Sequence, residues 1–246
     1  MKKMKKDNLL NYLILVFLYI GISALPFNLF VKNSDLLVLL FQCIAQLFYV
    51  IFAYFFIKRH TTFKLKSDRK SNKIIIFLPC LLACGSNFLY FAFVNSSISF
   101  KYSVLLIPQI VLNLFIVYNE EILFRLLFLN NTGIKSNLGK IVASAGIFAL
   151  CHLSYFISSF NPGDLLNVVY TFFLGLMLAM VYLYTNKITM TVVLHFLFNV
   201  INGVLFSSFN AAQNLYLYIL ANAIIVVILG IYLLIVYLKL EKKEAK

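Results

Sequence analysis

The stretch Leu112–Leu129, LNLFIVYNEEILFRLLFL, decides how the chain is read. It is apolar over the length of a helix, yet it carries Asn119, Glu120, Glu121 and Arg125 near its middle. Charges held inside a membrane-spanning helix cost kilocalories, so they are rare, usually paired, and candidates for function by default. Two more ionisable side chains lie inside apolar runs, His152 in IFALCHLSYF and His195 in TVVLHFLFN. Two glutamates, one arginine and two histidines form a set able to perform acid/base chemistry.

The composition says where these groups sit. Of 246 residues, 63% are hydrophobic, and the mean hydropathy is +0.95. A soluble domain runs at about half apolar, so lipid must cover much of this surface. The expectation is one integral membrane domain over residues 1–246, with the motif-bearing core at about 104–206. The net charge of +13 does not form a stripe suited to nucleic acid. Its lysines and arginines fall between apolar runs and at both ends, as juxtamembrane residues do. Cys43, Cys80, Cys84 and Cys151 all lie in apolar segments, which predicts four thiols and no disulfide framework. The N-terminal MKKMKK followed by a long apolar stretch resembles a signal peptide. That stretch outruns a signal h-region and lacks a small-x-small cleavage site, so it reads as a retained first span.

A span needs roughly 20 apolar residues. Eight stretches qualify, at about 9–31, 36–57, 74–94, 104–129, 141–160, 165–184, 188–206 and 214–238. With eight spans, eighteen lysines and arginines fall on one side: the N-terminus, the 58–73 loop, Lys135, Lys140, Lys187 and the C-terminal tail. Only Lys32 and Lys101 fall on the other. This asymmetry predicts cytoplasmic N- and C-termini in the cell membrane. The basic 58–73 loop serves that topology, and anionic lipid is its alternative ligand.

At about 1.5 Å per helical residue, Glu120 lies roughly 13 Å from its cytoplasmic helix end, His152 roughly 18 Å in and His195 roughly 10 Å in. Three separate segments thus place ionisable groups at overlapping depths, in the cytoplasmic half of the bilayer to its middle. Glu121 and Arg125 are i,i+4 and can pair on one helix face. Glu120 is rotated away from them by about 100° and is free to face a cavity as a general base. His195 and Asn199 are also i,i+4, and can hydrogen-bond a developing oxyanion. The histidine can alternatively bind a metal. Blander roles exist for each group alone: an ion pair or a buried His or Asn that only joins helices, and Phe148 as core.

Other protease patterns fail. The chain has no His-Glu-x-x-His. Asp164 has no intramembrane partner for an aspartyl dyad, and Ser144 in ASAG lacks the first glycine of Gly-x-Ser-Gly. Cys151 and His152 are adjacent, and adjacent helical side chains diverge.

Glu120-Glu121-x-x-x-Arg125, Phe148-x-x-x-His152 and His195-x-x-x-Asn199, in that order over about 80 residues, resemble the three motifs of the CPBP intramembrane proteases. That family includes the CAAX prenyl protease 2 type and the bacterial Abi and bacteriocin-processing or immunity proteins. The resemblance implies an all-α polytopic membrane fold and peptide-bond hydrolysis in a cavity open to the cytoplasm. It implies that Glu120 with His152 activates water, that His195 with Asn199 stabilises the oxyanion, and that Glu121 and Arg125 support the site. Members have also been read as zinc-dependent, for which Glu120, His152 and His195 are the available ligands. A metal-free glutamate mechanism is preferred, because Asn199 is a poor zinc ligand. The Lys-, Asn-, Ile- and Phe-rich composition suggests an AT-rich bacterial genome. The expected partners are then the bilayer and a small peptide or membrane-protein substrate, with roles in quorum-sensing peptide maturation, bacteriocin processing or immunity. A proton-coupled transporter would instead call for broken helices in two matching halves, and the chain shows no such repeat. A non-catalytic membrane scaffold or regulator is the remaining alternative.

Overall fold

The computed structural model describes residues 6–31, 34–67, 69–93, 99–100, 103–159, 162–210 and 215–244. Helix α1 (Lys6–Ser23) is followed by a helical turn at Phe27–Phe30 and by α2 (Asp35–His60). Helix α3 (Leu106–Glu121) runs on through a π-helical stretch, Ile122–Leu127, and a last α-turn, Phe128–Asn131. Then come α4 (Asn137–Ser159), α5 (Pro162–Thr185) and α6 (Ile188–Phe198). The last of these continues into a second π-helical stretch, Asn199–Leu205, and α7 (Leu215–Glu244) closes the chain. Strand structure among the described residues is one two-residue antiparallel pairing, Ser99–Phe100 with Phe209–Asn210.

The fold is an all-α polytopic membrane protein. Among the described residues, Asn8–Leu29, Asp35–His60, Asn167–Thr185, Ile188–Leu205 and Ile219–Lys243 are long and apolar enough to cross a bilayer. The expected fourth span is a long helix that carries the charged residues, and the fifth is the apolar α4. The expected third span, 74–94, differs most from a regular helix. It is a 3₁₀ turn over Ile74–Cys80, an α-turn over Leu81–Cys84 and a second 3₁₀ turn over Ser86–Ala92. Pro79 removes a backbone donor within it, and Gly85 separates its second and third pieces.

The interior is an apolar core into which the polar side chains of the spans also point, while much of the outer surface is apolar. On α1 the buried stripe is Asn8, Tyr12, Leu15, Val16 and Tyr19, at helical spacing, while Leu10 and Phe17 are exposed. On α2 the buried positions are Gln46, Tyr49 and Ala53. The Gln46 side chain donates to Ser23 Oγ of α1 (3.0 Å), and Asn119 Nδ2 of α3 donates to Gln46 Oε1 (2.8 Å). Such bonds join helices where lipid offers apolar surface no reason to leave it. Helix α5 is the central element, with every residue from Met177 to Thr185 buried. Its closest approach is to α4. A Cβ on Gly175 would lie 2.9 Å from Ala145 Cα and 3.2 Å from a Phe148 ring carbon. Small residues thus let α5 seat the α4 face that carries Phe148.

The broken third segment is held by Asn202 of the second π stretch. Asn202 donates to the Ala83 carbonyl (2.7 Å) and to Ser86 Oγ (3.1 Å). Its Oδ1 accepts from the Asn87 backbone N–H (3.0 Å). Side-chain bonds thereby replace the helical ladder in a region where water is scarce.

The basic segments gather at one end of the bundle. Asn8 accepts from Thr62 N–H, Arg69 donates to Asn130 and Asn186 donates to the Arg69 carbonyl. Lys243 donates to Asn72, and Glu241 accepts from Tyr184 and Asn137. Helix α1, residues 61–67 and 69–73, the ends of α3 and α5 and the end of α7 therefore meet. Lys2, Lys3, Lys5, Lys32, Lys101 and Lys246, which enter that asymmetry, lie outside the described residues, as does the Asp164 side chain. All four cysteines are free thiols.

Candidate active site

Glu120 and Glu121 close the α-helical part of α3, and Arg125 sits in the π turn that follows. His195 lies in the last turn of α6, and Asn199 opens the second π stretch. Both motif helices therefore widen into a π turn beside the ionisable residues, a deformation that recurs at functional sites. Neither π turn was visible in the residue spacing.

Glu120 and Glu121 diverge as adjacent helical residues must. Glu121 faces the bundle interior. Its Oε2 is 3.5 Å from Arg125 Nε, with both side chains fully buried. The expected i,i+4 pair is present. Arg125 also donates to Ser144 Oγ on α4 (3.2 Å) and lies 4.7 Å above the centre of the Phe148 ring, a favourable seat for a desolvated cation. Ser144 in turn donates to the Phe124 carbonyl (2.8 Å).

Glu120 faces a cavity of about 1090 Å³. Phe148, His152, His195 and Asn199 also line that cavity, whereas Glu121 and Arg125 do not. Glu120 Oε1 is 3.8 Å from His152 Nε2, and Oε2 is 3.7 Å from His195 Nε2. One carboxylate therefore stands between two imidazoles from two other helices. His152 Nδ1 is 2.9 Å from the Phe148 carbonyl. A carbonyl only accepts, so that nitrogen donates and Nε2 is the one turned to Glu120. His195 Nδ1 is 2.9 Å from Glu121 Oε1, which orients the ring so that Nε2 faces Glu120. Phe148 touches both rings edge-on, at 4.8 Å from His152 and 5.6 Å from His195. It is thus the common wall of the cation and the two imidazoles.

Each residue singled out by sequence lies in this one cluster. Three contributors were missed. Tyr19 of α1 donates to Glu120 Oε1 at 2.7 Å. The sequence around Ser144 points only to a nucleophile, and that around Asn202 to no role. Tyr19 and Asn202 each stood as a polar group inside an apolar run, a signal present in the sequence but not specific to a site.

A zinc ion would draw on Glu120, His152 and His195. Here Glu120 spends one oxygen on each imidazole instead of converging with both on a point. Among the described residues, no three His, Cys, Asp or Glu side chains are arranged to hold a metal ion.

Residues 102–201 match the family model described as type II CAAX prenyl endopeptidase, Rce1-like. The match covers less than half of the chain, but it holds all three motifs from Glu120 to Asn199. No curated protein matches the chain, and no solved structure does. Through this motif-bearing segment the chain is similar to the type II CAAX prenyl endopeptidases, consistent with the CPBP/CAAX intramembrane proteases.

Proposed function

We propose that the chain is an intramembrane endopeptidase of glutamate type that cleaves a small membrane-associated or leader-bearing peptide. The observation that carries this reading is the Glu120 carboxylate set between the His152 and His195 imidazoles on the wall of a cavity large enough for a peptide segment. A water within reach of Glu120 and His152 Nε2 gives up a proton to Glu120 as its oxygen bonds to the scissile carbonyl carbon. The carbonyl oxygen becomes the oxyanion, next to His195 and Asn199. When the intermediate collapses, the C–N bond breaks and the proton held by Glu120 passes to the leaving amine. Glu121 and Arg125 stay outside the cavity, and Glu121 fixes the His195 ring.

The positive-inside asymmetry supports cytoplasmic termini, a site in the cytoplasmic half of the bilayer and a substrate that approaches from that side. The composition supports a bacterial role in peptide maturation, quorum sensing, or bacteriocin processing or immunity. The test is cleavage of a fluorogenic peptide panel by purified protein in detergent, against Glu120→Gln. Cleavage by the parent chain and none by the variant is expected. Equal rates for the two would end this assignment.

A further inference from the structure

We infer that Tyr19, on the first helix and outside the segment that carries the family match, is a positioning residue for the catalytic glutamate. This rests on the reading of Glu120 as the general base. Tyr19 is buried, and its hydroxyl donates to Glu120 Oε1 at 2.7 Å. That is an ordinary, well-formed O–H···O distance. Oε1 is also the oxygen nearest His152 Nε2, so the bond falls on the side of the carboxylate where water would be activated.

A glutamate side chain has three rotatable bonds, and Glu120 lacks the cation that fixes Glu121. The other groups facing it are His152 and Cys151 of α4, His195 of α6 and the more distant Arg125. Tyr19 supplies a close hydrogen bond that constrains its geometry. It keeps the carboxylate turned toward the cavity.

The support for Tyr19 is built into the fold. Tyr49 of α2 packs its ring against Tyr19, with centres 5.5 Å apart. The Tyr49 hydroxyl donates to the Leu15 carbonyl one turn earlier (2.8 Å). The Ser23–Gln46–Asn119 chain of bonds ties the same three helices together one turn further on. Asn119 precedes Glu120 directly, so α1 and α2 brace both the base and the residue that fixes it.

The experiment uses the purified full-length chain with Tyr19→Phe, Tyr49→Phe and Glu120→Gln, each assayed for peptide cleavage and for thermal stability. Tyr19→Phe should lower kcat about tenfold with KM within about twofold, the size of effect one hydrogen bond to a charged group supports. A loss in kcat with KM held marks a residue that orients the base, not one that binds substrate. Tyr49→Phe deletes a hydroxyl from a neighbouring buried ring while keeping its packing, and should leave kcat within about twofold of the parent. If Tyr19→Phe folds poorly, 3-fluorotyrosine at position 19 keeps the shape and the donor and should keep kcat within about twofold. A parent-like kcat for Tyr19→Phe beside a dead Glu120→Gln overturns this inference and leaves the protease assignment standing. An active Glu120→Gln overturns both.

Discussion

His195 Nδ1 lies 2.9 Å from Glu121 Oε1, so the carboxylate that pairs with Arg125 is shared with an imidazole on another helix. This relationship makes Glu121 a link between the buried cation and the cavity. Glu121→Ala or Arg125→Ala leaves a buried charge without its partner and should cost about 3–5 kcal/mol of stability. The double change Glu121→Gln, Arg125→Met removes both charges and should recover much of the folded yield. It should not recover activity, because His195 then lacks a charged anchor. Melting in detergent and peptide cleavage read the two effects separately. Additive losses in stability across the cycle would mean that the side chains are not coupled.

Removing one donor from an oxyanion site typically costs about 10²–10³ in rate. His195→Ala and Asn199→Ala should each lose at least that much in kcat, measured by single-turnover cleavage, with the protein still folded. Losses under tenfold for both would assign the oxyanion to other groups.

Much of this site was legible because polar residues are scarce in an apolar chain. Glu120, Glu121, Arg125, His152 and His195 each stood out against their segment, and i,i+4 spacing gave the Glu121–Arg125 pair directly. Phe148 could be named only from the motif, since nothing in an isolated phenylalanine says that it will lie under a guanidinium and against two imidazoles. The His195–Glu121 bond was hidden for a related reason. It joins α3 to α6 across 74 residues, and helical periodicity carries no information on which faces of distant helices meet. The third span misled for a different reason. Residues 74–94 are apolar enough to read as a helix, while the bonds that stabilise a broken one come from Asn202, more than 100 residues away.

Asn202 should therefore matter more for folding than for chemistry. Asn202→Ala orphans the Asn87 N–H and takes a donor from the Ala83 carbonyl, and a buried unpaired group costs about 1–3 kcal/mol. The expected result is a lower melting temperature in detergent and faster proteolysis within 74–92, with kcat of the surviving folded fraction within a few-fold of the parent. A variant as stable as the parent would show that the broken segment is held by other contacts.

The last prediction concerns metal. A catalytic zinc takes three protein ligands and keeps one position for water. In this chain Glu120, His152 and His195 would supply those three ligands. Glu120 meets the two imidazoles through separate oxygens, and His195 Nδ1 meets Glu121. That arrangement suits a carboxylate that takes a proton from water, and it leaves Asn199 a task at the oxyanion that a metal would otherwise perform. Exhaustively chelated protein should keep its cleavage rate, and elemental analysis of purified protein should find clearly less than one zinc per chain. Stoichiometric zinc whose removal stops cleavage and whose return restores it would overturn the glutamate mechanism. Glu120, His152 and His195 would then be ligands, and Tyr19 would be holding a metal-bound carboxylate.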